Sequence, residues 1–394
     1  MTTPIRPPMT VPLLDLKAQY APLAAEFTAR IAEICAAQQF ILGRHVLAFE
    51  TAAAAYCRVA HAIGVSSGTD ALLLALMGLG IGAGDEVVTS PYTFFATAGT
   101  IARVGARPVF CDIDADTFNL RPAAVRAFLE GHCERRAGQL VNRATGGRVR
   151  ALMPVHLYGQ CADMQALLAL AREFGLKVIE DAAQAIGADD ALGRRAGSMG
   201  DVGCLSFFPT KNLGAFGDAG MCTARDEELA RHLKILRVHG GEPKYYHSFI
   251  GGNFRLDEIQ AAVLAIKLPH LDDWTAGRAS NAEFYLTEFR KAGIAGVVTP
   301  PVARTGRHIW NQFVIRAPRR DALRSFLAQQ GIGTEIYYPV PLHLQRCFDY
   351  LGHSAGDFPE AERAAAETLA LPIFAELAPP QLQYVVDRIA AFYT

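Results

Sequence analysis

Apolar and polar positions alternate along this chain in two rhythms. Residues 70–80, "DALLLALMGLG", have a helical pattern, and residues 85–90, "DEVVTS", read as a strand. The same pair recurs. "TFFATAGTIARVG" (93–105) predicts a helix and "RPVFCDI" (107–113) a strand; "PAAVRAFLEG" (122–131) predicts a helix and "VRALMPVHLYG" (149–159) contains a strand. "DMQALLALAREFG" (163–175) predicts one more helix, with "KVIEDAA" (177–183) and "VGCLSFF" (202–208) as strands. That order predicts an α/β fold with a mostly parallel sheet covered by helices.

From about Leu256 long helices take over, beginning with "RLDEIQAAVLAIKL". A smaller α+β part follows, with "IWNQFVIRA" as a strand, "DALRSFLAQQG" as a helix and "TEIYYPVPLH" as an extended segment. The expected division is a large domain, 1–271, and a small C-terminal domain, 272–394, with the N-terminal segment available to pack on the small one. Residues 133–150 carry five arginines and no strong period, which predicts a solvated loop, with a basic patch for an anionic ligand as the alternative. "GLGIGA" (78–83) matches a dinucleotide fingerprint, but it ends a helix and precedes a strand, so it reads as a turn.

Composition narrows the function classes. The chain has 394 residues, 51% hydrophobic, enough for a substantial core. Its 38 basic and 39 acidic residues nearly balance, so nothing global points to nucleic acid or a charged membrane surface. No apolar run reaches the roughly 18 residues of a membrane span, and the N-terminus lacks a signal-peptide core. Eight cysteines without a C-x-x-C pair predict neither a metal site nor a disulfide framework, and reduced thiols in a cytoplasm are the expectation.

Candidate chemistry gathers at strand ends. In "SFFPTKNLGAFGDAG" (206–220) the chain cannot continue its strand past Pro209, which leaves Lys211 at the strand's carboxyl edge, where open α/β sheets bind ligands. An amine there can form a Schiff base with a carbonyl cofactor. "VSSGTDALLLAL" (65–76) puts Ser67, Gly68 and Thr69 at a helix start, which is either a phosphate cradle or an ordinary N-cap. Asp181 ends a buried strand, and a carboxylate there needs a cation such as a protonated pyridine nitrogen. Capping the following segment is its other reading. Phe94, in "SPYTFFATAGT" (90–100), can stack on a flat ring or serve the core.

Together these stretches resemble the DegT/DnrJ/EryC1/StrS family of nucleotide-sugar aminotransferases, fold-type I enzymes that use pyridoxal 5′-phosphate (PLP). The resemblance runs from "VPLLDLKAQY" through "IYYPVPLHLQ". It implies that Lys211 carries the cofactor and shuttles the proton, that Asp181 pairs with the pyridine nitrogen, and that Gln184 lies beside the phenolic oxygen. It also implies that Phe94 stacks on the ring and that Gly68, Thr69 and Ser206 contact the phosphate. Asn253, in "GGNFRLDE", matches a residue reaching the partner subunit's cofactor, which implies a homodimer with shared sites; capping the next helix is the alternative. The implied reaction moves an amino group from L-glutamate to a ketone of a dTDP-, UDP- or GDP-linked sugar. The wording of "LLDLKAQY" and "KYYHSFIGGNFRLD" favours a 3-keto over a 4-keto sugar. His239, Tyr245, Tyr246, Tyr338 and His343 are candidate sugar contacts, each also readable as packing. An amino-acid lyase and a PLP-binding regulatory protein are the competing readings.

Overall fold

The computed structural model describes residues 9–299, 301–304 and 306–394. Its strands are β1 (His61–Val65), β2 (Asp85–Thr89), β3 (Arg107–Phe110), β4 (Cys133–Arg136), β5 (Gln139–Asn142), β6 (Arg148–Met153), β7 (Lys177–Asp181), β8 (Val202–Ser206), β9 (Gly220–Ala224), β10 (Phe313–Arg316) and β11 (Thr368–Leu371). The main sheet runs β1-β9-β8-β7-β6-β2-β3. β8, β7, β6, β2 and β3 are mutually parallel, and β9 runs antiparallel to both β8 and β1. The prediction of a mostly parallel, helix-covered sheet therefore holds.

Both faces of this sheet are buried, which is why its strands read as continuous apolar runs. Successive side chains point to opposite faces. Val87 and Ile179 pack with Leu72, Leu74 and Ala75 of the helix Gly68–Gly78 on one face. Val88 and Val178 pack with Val125, Leu129, Leu167 and Leu170 of the helices Pro122–His132 and Met164–Phe174 on the other. Each such buried Leu or Val is worth about 1.5–3 kcal/mol.

A second apolar cluster forms around the two-stranded sheet β10-β11 and the helices Leu271–Lys291, Arg320–Gln329 and Pro379–Tyr393. Val11 belongs to it and pairs with the chain at Gly331–Gly333, where its N–H donates to the Gly331 carbonyl at 2.9 Å. One continuous helix of 21 residues spans the expected boundary near Asp272. Its Leu271 belongs to a cluster with Val46, Phe49 and Leu264, and its Ala282, Tyr285 and Phe289 pack with the cluster around β10-β11.

Several local expectations change. Residues 133–150 are not a loop: β4 and β5 form an antiparallel hairpin that joins β6. The turn residues Ala137 and Gly138 both have positive φ, as a two-residue hairpin turn of this hand requires. Its arginines are occupied locally: Arg143 reaches the carbonyls of Glu130 and Cys133, Arg136 pairs with Glu134, and Arg148 pairs with the buried Asp85. "IWNQFVIRA" is a strand only at Phe313–Arg316, and "TEIYYPVPLH" touches a sheet only through the Glu335–Ala370 bridge. "GLGIGA" is a turn, with Gly80 at φ +63°. No helix of the described residues is long and apolar enough to cross a membrane.

Candidate active site

The carboxyl ends of β7 and β8, together with the start of the helix Gly68–Gly78, border one cavity of about 530 Å³. Seven of the predicted cofactor residues line it: Gly68, Thr69, Phe94, Asp181, Gln184, Ser206 and Lys211.

The helix start is built by close approach. Ser67 is the N-cap, its hydroxyl accepting from the Asp70 N–H at 3.0 Å. Gly68 has no room for a side chain, since a Cβ there would lie 2.6 Å from the Ser206 Cβ. The end of β8 is thereby held against the helix N-terminus, whose first N–H groups and dipole favour an anion.

Asp181 is only 4% exposed. Its Oδ2 accepts from the Thr97 hydroxyl at 2.7 Å and its Oδ1 from the Ala183 N–H at 3.2 Å. Burial pushes its pKa up, opposed by those two hydrogen bonds and then by the charge of Lys211. It forms no ion pair among the described residues. The neighbouring Glu180 faces the other way. Its carboxylate accepts from the N–H groups of Gly197, Met199 and Gly200 at 2.6–2.8 Å and lies 2.9 Å from His156 Nε2. The His156 Nδ1 accepts from the Ala162 N–H, so its proton sits on Nε2, toward Glu180.

Lys211 follows β8 in a tight turn, its N–H donating to the Phe208 carbonyl at 2.9 Å. Burial lowers its amine to a pKa of about 8, with the Asp181 carboxylate pulling it back up. Gln184 is oriented at both ends. Its Oε1 accepts from the Tyr158 N–H at 2.7 Å, and its Nε2 donates to the Tyr338 hydroxyl at 3.1 Å. The Phe94 ring is 55% exposed and lies 6.0 Å from the Tyr338 ring.

The remaining candidates scatter. Tyr338 lines the cavity. His239, Tyr245, Tyr246, His343 and Asn253 do not. His343 is buried against Phe358 and within 3.0 Å of Glu362, a packing position. Tyr245 and Tyr246 are 79% and 71% exposed, on a loop that also displays Ile250. His239 adopts φ +63° beside them. Asn253 is exposed, and the next helix starts only at Glu258 with Asp257 as its N-cap residue, so Asn253 does not cap it.

Sequence reasoning missed Thr97, Thr93 and Gln312. Thr97 opens the helix Ala96–Arg103, and its hydroxyl lies 3.0 Å from that of Thr93.

The model of the DegT/DnrJ/EryC1/StrS aminotransferase family matches residues 22–390. A protein of Geobacillus stearothermophilus named "Pleiotropic regulatory protein" is 50% identical over 98% of this chain and 99% of its own length. The dTDP-3-amino-3,4,6-trideoxy-alpha-D-glucose transaminase of Streptomyces venezuelae is 44% identical, covering 96% of this chain and 95% of its own. The crystal structure of S. venezuelae DesV in complex with a ketimine intermediate superimposes with a TM-score of 0.88 at 44% identity, covering 97% of this chain and 98% of that one. With the fold, the cavity and these matches together, the chain belongs to the DegT/DnrJ/EryC1/StrS aminotransferase family.

Proposed function

We propose that this protein transfers an amino group from L-glutamate to the keto group of a nucleotide-linked sugar, a 3-keto sugar in preference to a 4-keto sugar, with PLP held in the cavity. The single observation that carries the reading is the convergence of Lys211, Asp181, Gln184 and Phe94 on one cavity. The 3-keto preference is supported by the 3-amino product in the name of the Streptomyces relative.

The residues present fit that cofactor. A buried carboxylate with a raised pKa and no ion pair calls for a cation, and a protonated pyridine nitrogen supplies one. The close approach of Gly68 to Ser206 sets the end of β8 against a helix N-terminus, a position that favours a phosphate. Bound there, PLP supplies an electron sink for the carbon that loses its proton.

The chain's own residues do the rest. Lys211, its pKa lowered to about 8, keeps roughly a tenth of its amine free at pH 7 and can both take and return a proton. Asp181, fixed by Thr97, holds the proton on the ring nitrogen. Gln184 would present its amide to the phenolic oxygen, and Phe94 would cover one ring face. Ser67, Gly68, Thr69 and Ser206 cradle the phosphate.

We assign the large and small domains to 1–271 and 272–394, and place the protein in the cytoplasm. We also assign it to a homodimer in which Asn253 reaches the partner's phosphate. The exposed position of Asn253, outside its own chain's cavity, supports that last reading. Mixed dimers of Lys211→Ala and Asn253→Ala chains should regain activity, and no recovery in demonstrated heterodimers would place Asn253 in its own chain's site.

The regulatory name of the Geobacillus relative favours a second reading, a binding protein without turnover. The test covers both. Borohydride reduction should fix the cofactor on the peptide holding Lys211, and glutamate-dependent amination should be measurable with dTDP-, UDP- and GDP-keto-sugars. Fixation on another lysine, or no amination across the panel, would refute the proposal.

A further inference from the structure

Lys211 borders more than one opening. A crevice of about 80 Å³ adjoins the main cavity, and Thr210, Lys211, Gln312 and Tyr337 line both. Among the described residues its only charged wall residues are Lys211 and Arg278, both cationic. The main cavity, by contrast, carries two carboxylates, Asp181 and Asp218, beside Lys211.

Arg278 comes from the helix Leu271–Lys291 and is 5% exposed. Its Nη1 is fixed by three backbone carbonyls: Ile373 at 2.9 Å, Trp310 at 3.0 Å and Asn311 at 3.4 Å. Its Nε and Nη2 have no hydrogen-bond partner among the described residues. Arg278 forms no ion pair within that set either. Burial lowers its pKa to about 10, with the Glu376 carboxylate pulling it back up, which leaves it charged at neutral pH. A third, smaller opening shares Leu14, Lys211 and Arg278 with the crevice and is also lined by Asp15 and Glu376. Asp15 is engaged with the N–H groups of Lys17 and Ala18, and Glu376 is exposed.

A buried guanidinium with one nitrogen anchored, two others without a hydrogen-bond partner among the described residues, and a place in the wall of a crevice that holds no carboxylate is a site for a carboxylate. The crevice is far smaller than a nucleotide sugar needs, and its volume suits one carboxylate arm of a small molecule. It shares Lys211 with the main cavity, so a ligand can extend from Arg278 to the amine. We infer that Arg278 and the crevice beside it form the subsite for the amino donor's carboxylate, while the main cavity takes the sugar. This inference rests on the aminotransferase reading above.

The test uses cofactor-loaded protein and glutarate, a dicarboxylate with no amine to react. Calorimetry should show glutarate binding, weakened about ten- to a hundredfold in Arg278→Met, with Arg278→Lys in between. The neutral diamide, glutaramide, should not compete, and inorganic phosphate at equal concentration should not displace glutarate. The KM for glutamate should rise in both variants while the KM for the keto sugar stays unchanged. Unaltered glutarate affinity in Arg278→Met, effective competition by the diamide or by phosphate, or no glutarate binding to the wild type would overturn the assignment. Should Arg278→Met fail to fold through loss of its carbonyl contacts, a glutarate-soaked crystal of the wild type decides instead. Density against Arg278 supports the subsite, and density elsewhere overturns it. Glutarate binding through Arg278 in a protein with no amination activity would retain the carboxylate site and reject the aminotransferase reading, so the two failures are distinguishable.

Discussion

Two lysines in this molecule share one electrostatic signature and differ in everything else. Burial lowers both Lys211 and Lys267 to a pKa of about 8. Lys267, on the helix Glu258–Lys267, is 4% exposed and donates to the Gly214 carbonyl at 2.6 Å. Lys211 stands in the same turn that Gly214 closes, yet its amine has no hydrogen bond or ion pair among the described residues and borders a cavity. A depressed pKa therefore does not by itself mark chemistry. What separates the two is whether the amine is already used. One holds the turn's backbone, and the other is left free by it.

The largest expected effect divides the pair. Lys211→Met should lower turnover by about a thousandfold or more, since it removes the proton carrier, and should leave the fold intact. Lys267→Met should keep turnover within about tenfold of the wild type, because the turn has other supports such as the Asn212 bond to the Ile309 carbonyl. Steady-state assays beside thermal unfolding measure both. Equal losses of turnover in two folded variants would break the comparison and make Lys267 part of the machinery.

Adjacent carboxylates on β7 sharpen the same distinction. Glu180 is fully satisfied by three backbone N–H groups and His156, whereas Asp181 has two donors and borders the cavity. Glu180→Gln puts an NH₂ against backbone donors and should cost about 2–4 kcal/mol of stability. Asp181→Asn should fold normally and lose about a hundredfold or more in turnover. Denaturant unfolding and kcat should move in opposite members of the pair. A stable Glu180→Gln or a fully active Asp181→Asn contradicts the division.

The cavity was legible where a polar residue interrupts an apolar strand at its carboxyl end. Asp181 and Lys211 each stand after a run such as "KVIE" or "GCLSFF", and turn residues follow. Thr97 and Arg278 were not legible, because their roles depend on which distant elements pack beside them. Arg278 lies in a helix rich in charged residues, and only the carbonyls of Trp310 and Ile373 set it apart. The short strands β1, β9 and β11 are too brief and too rich in small residues for periodicity to separate strand from loop. The β4–β5 hairpin had its signal in Ala137–Gly138, a two-residue turn hidden among arginines.

The smallest expected effect is the pH dependence that the two lysines share. An ordinary lysine titrates near 10.5 and these near 8, so the folded chain releases their protons earlier than the unfolded chain does. Between those values the unfolded state binds more protons, and stability rises with pH. Below about pH 8 both states are charged and the full cost of burying the charge is present. Buried thiols oppose this. Cys57 and Cys111, pushed up to about 12, keep protons that the unfolded chain loses above 9, so they lower stability as pH rises. The sum of these trends has no simple slope. The difference between wild type and Lys267→Met does, because the thiols cancel. With Lys267 removed, unfolding free energy should rise less between pH 8 and 10.5, by about 1–3 kcal/mol over the window. Unfolding in urea at pH 8 and pH 10 on both proteins measures it. Parallel curves would mean that Lys267 titrates as a solvated lysine and that its bond to Gly214 is not a buried one.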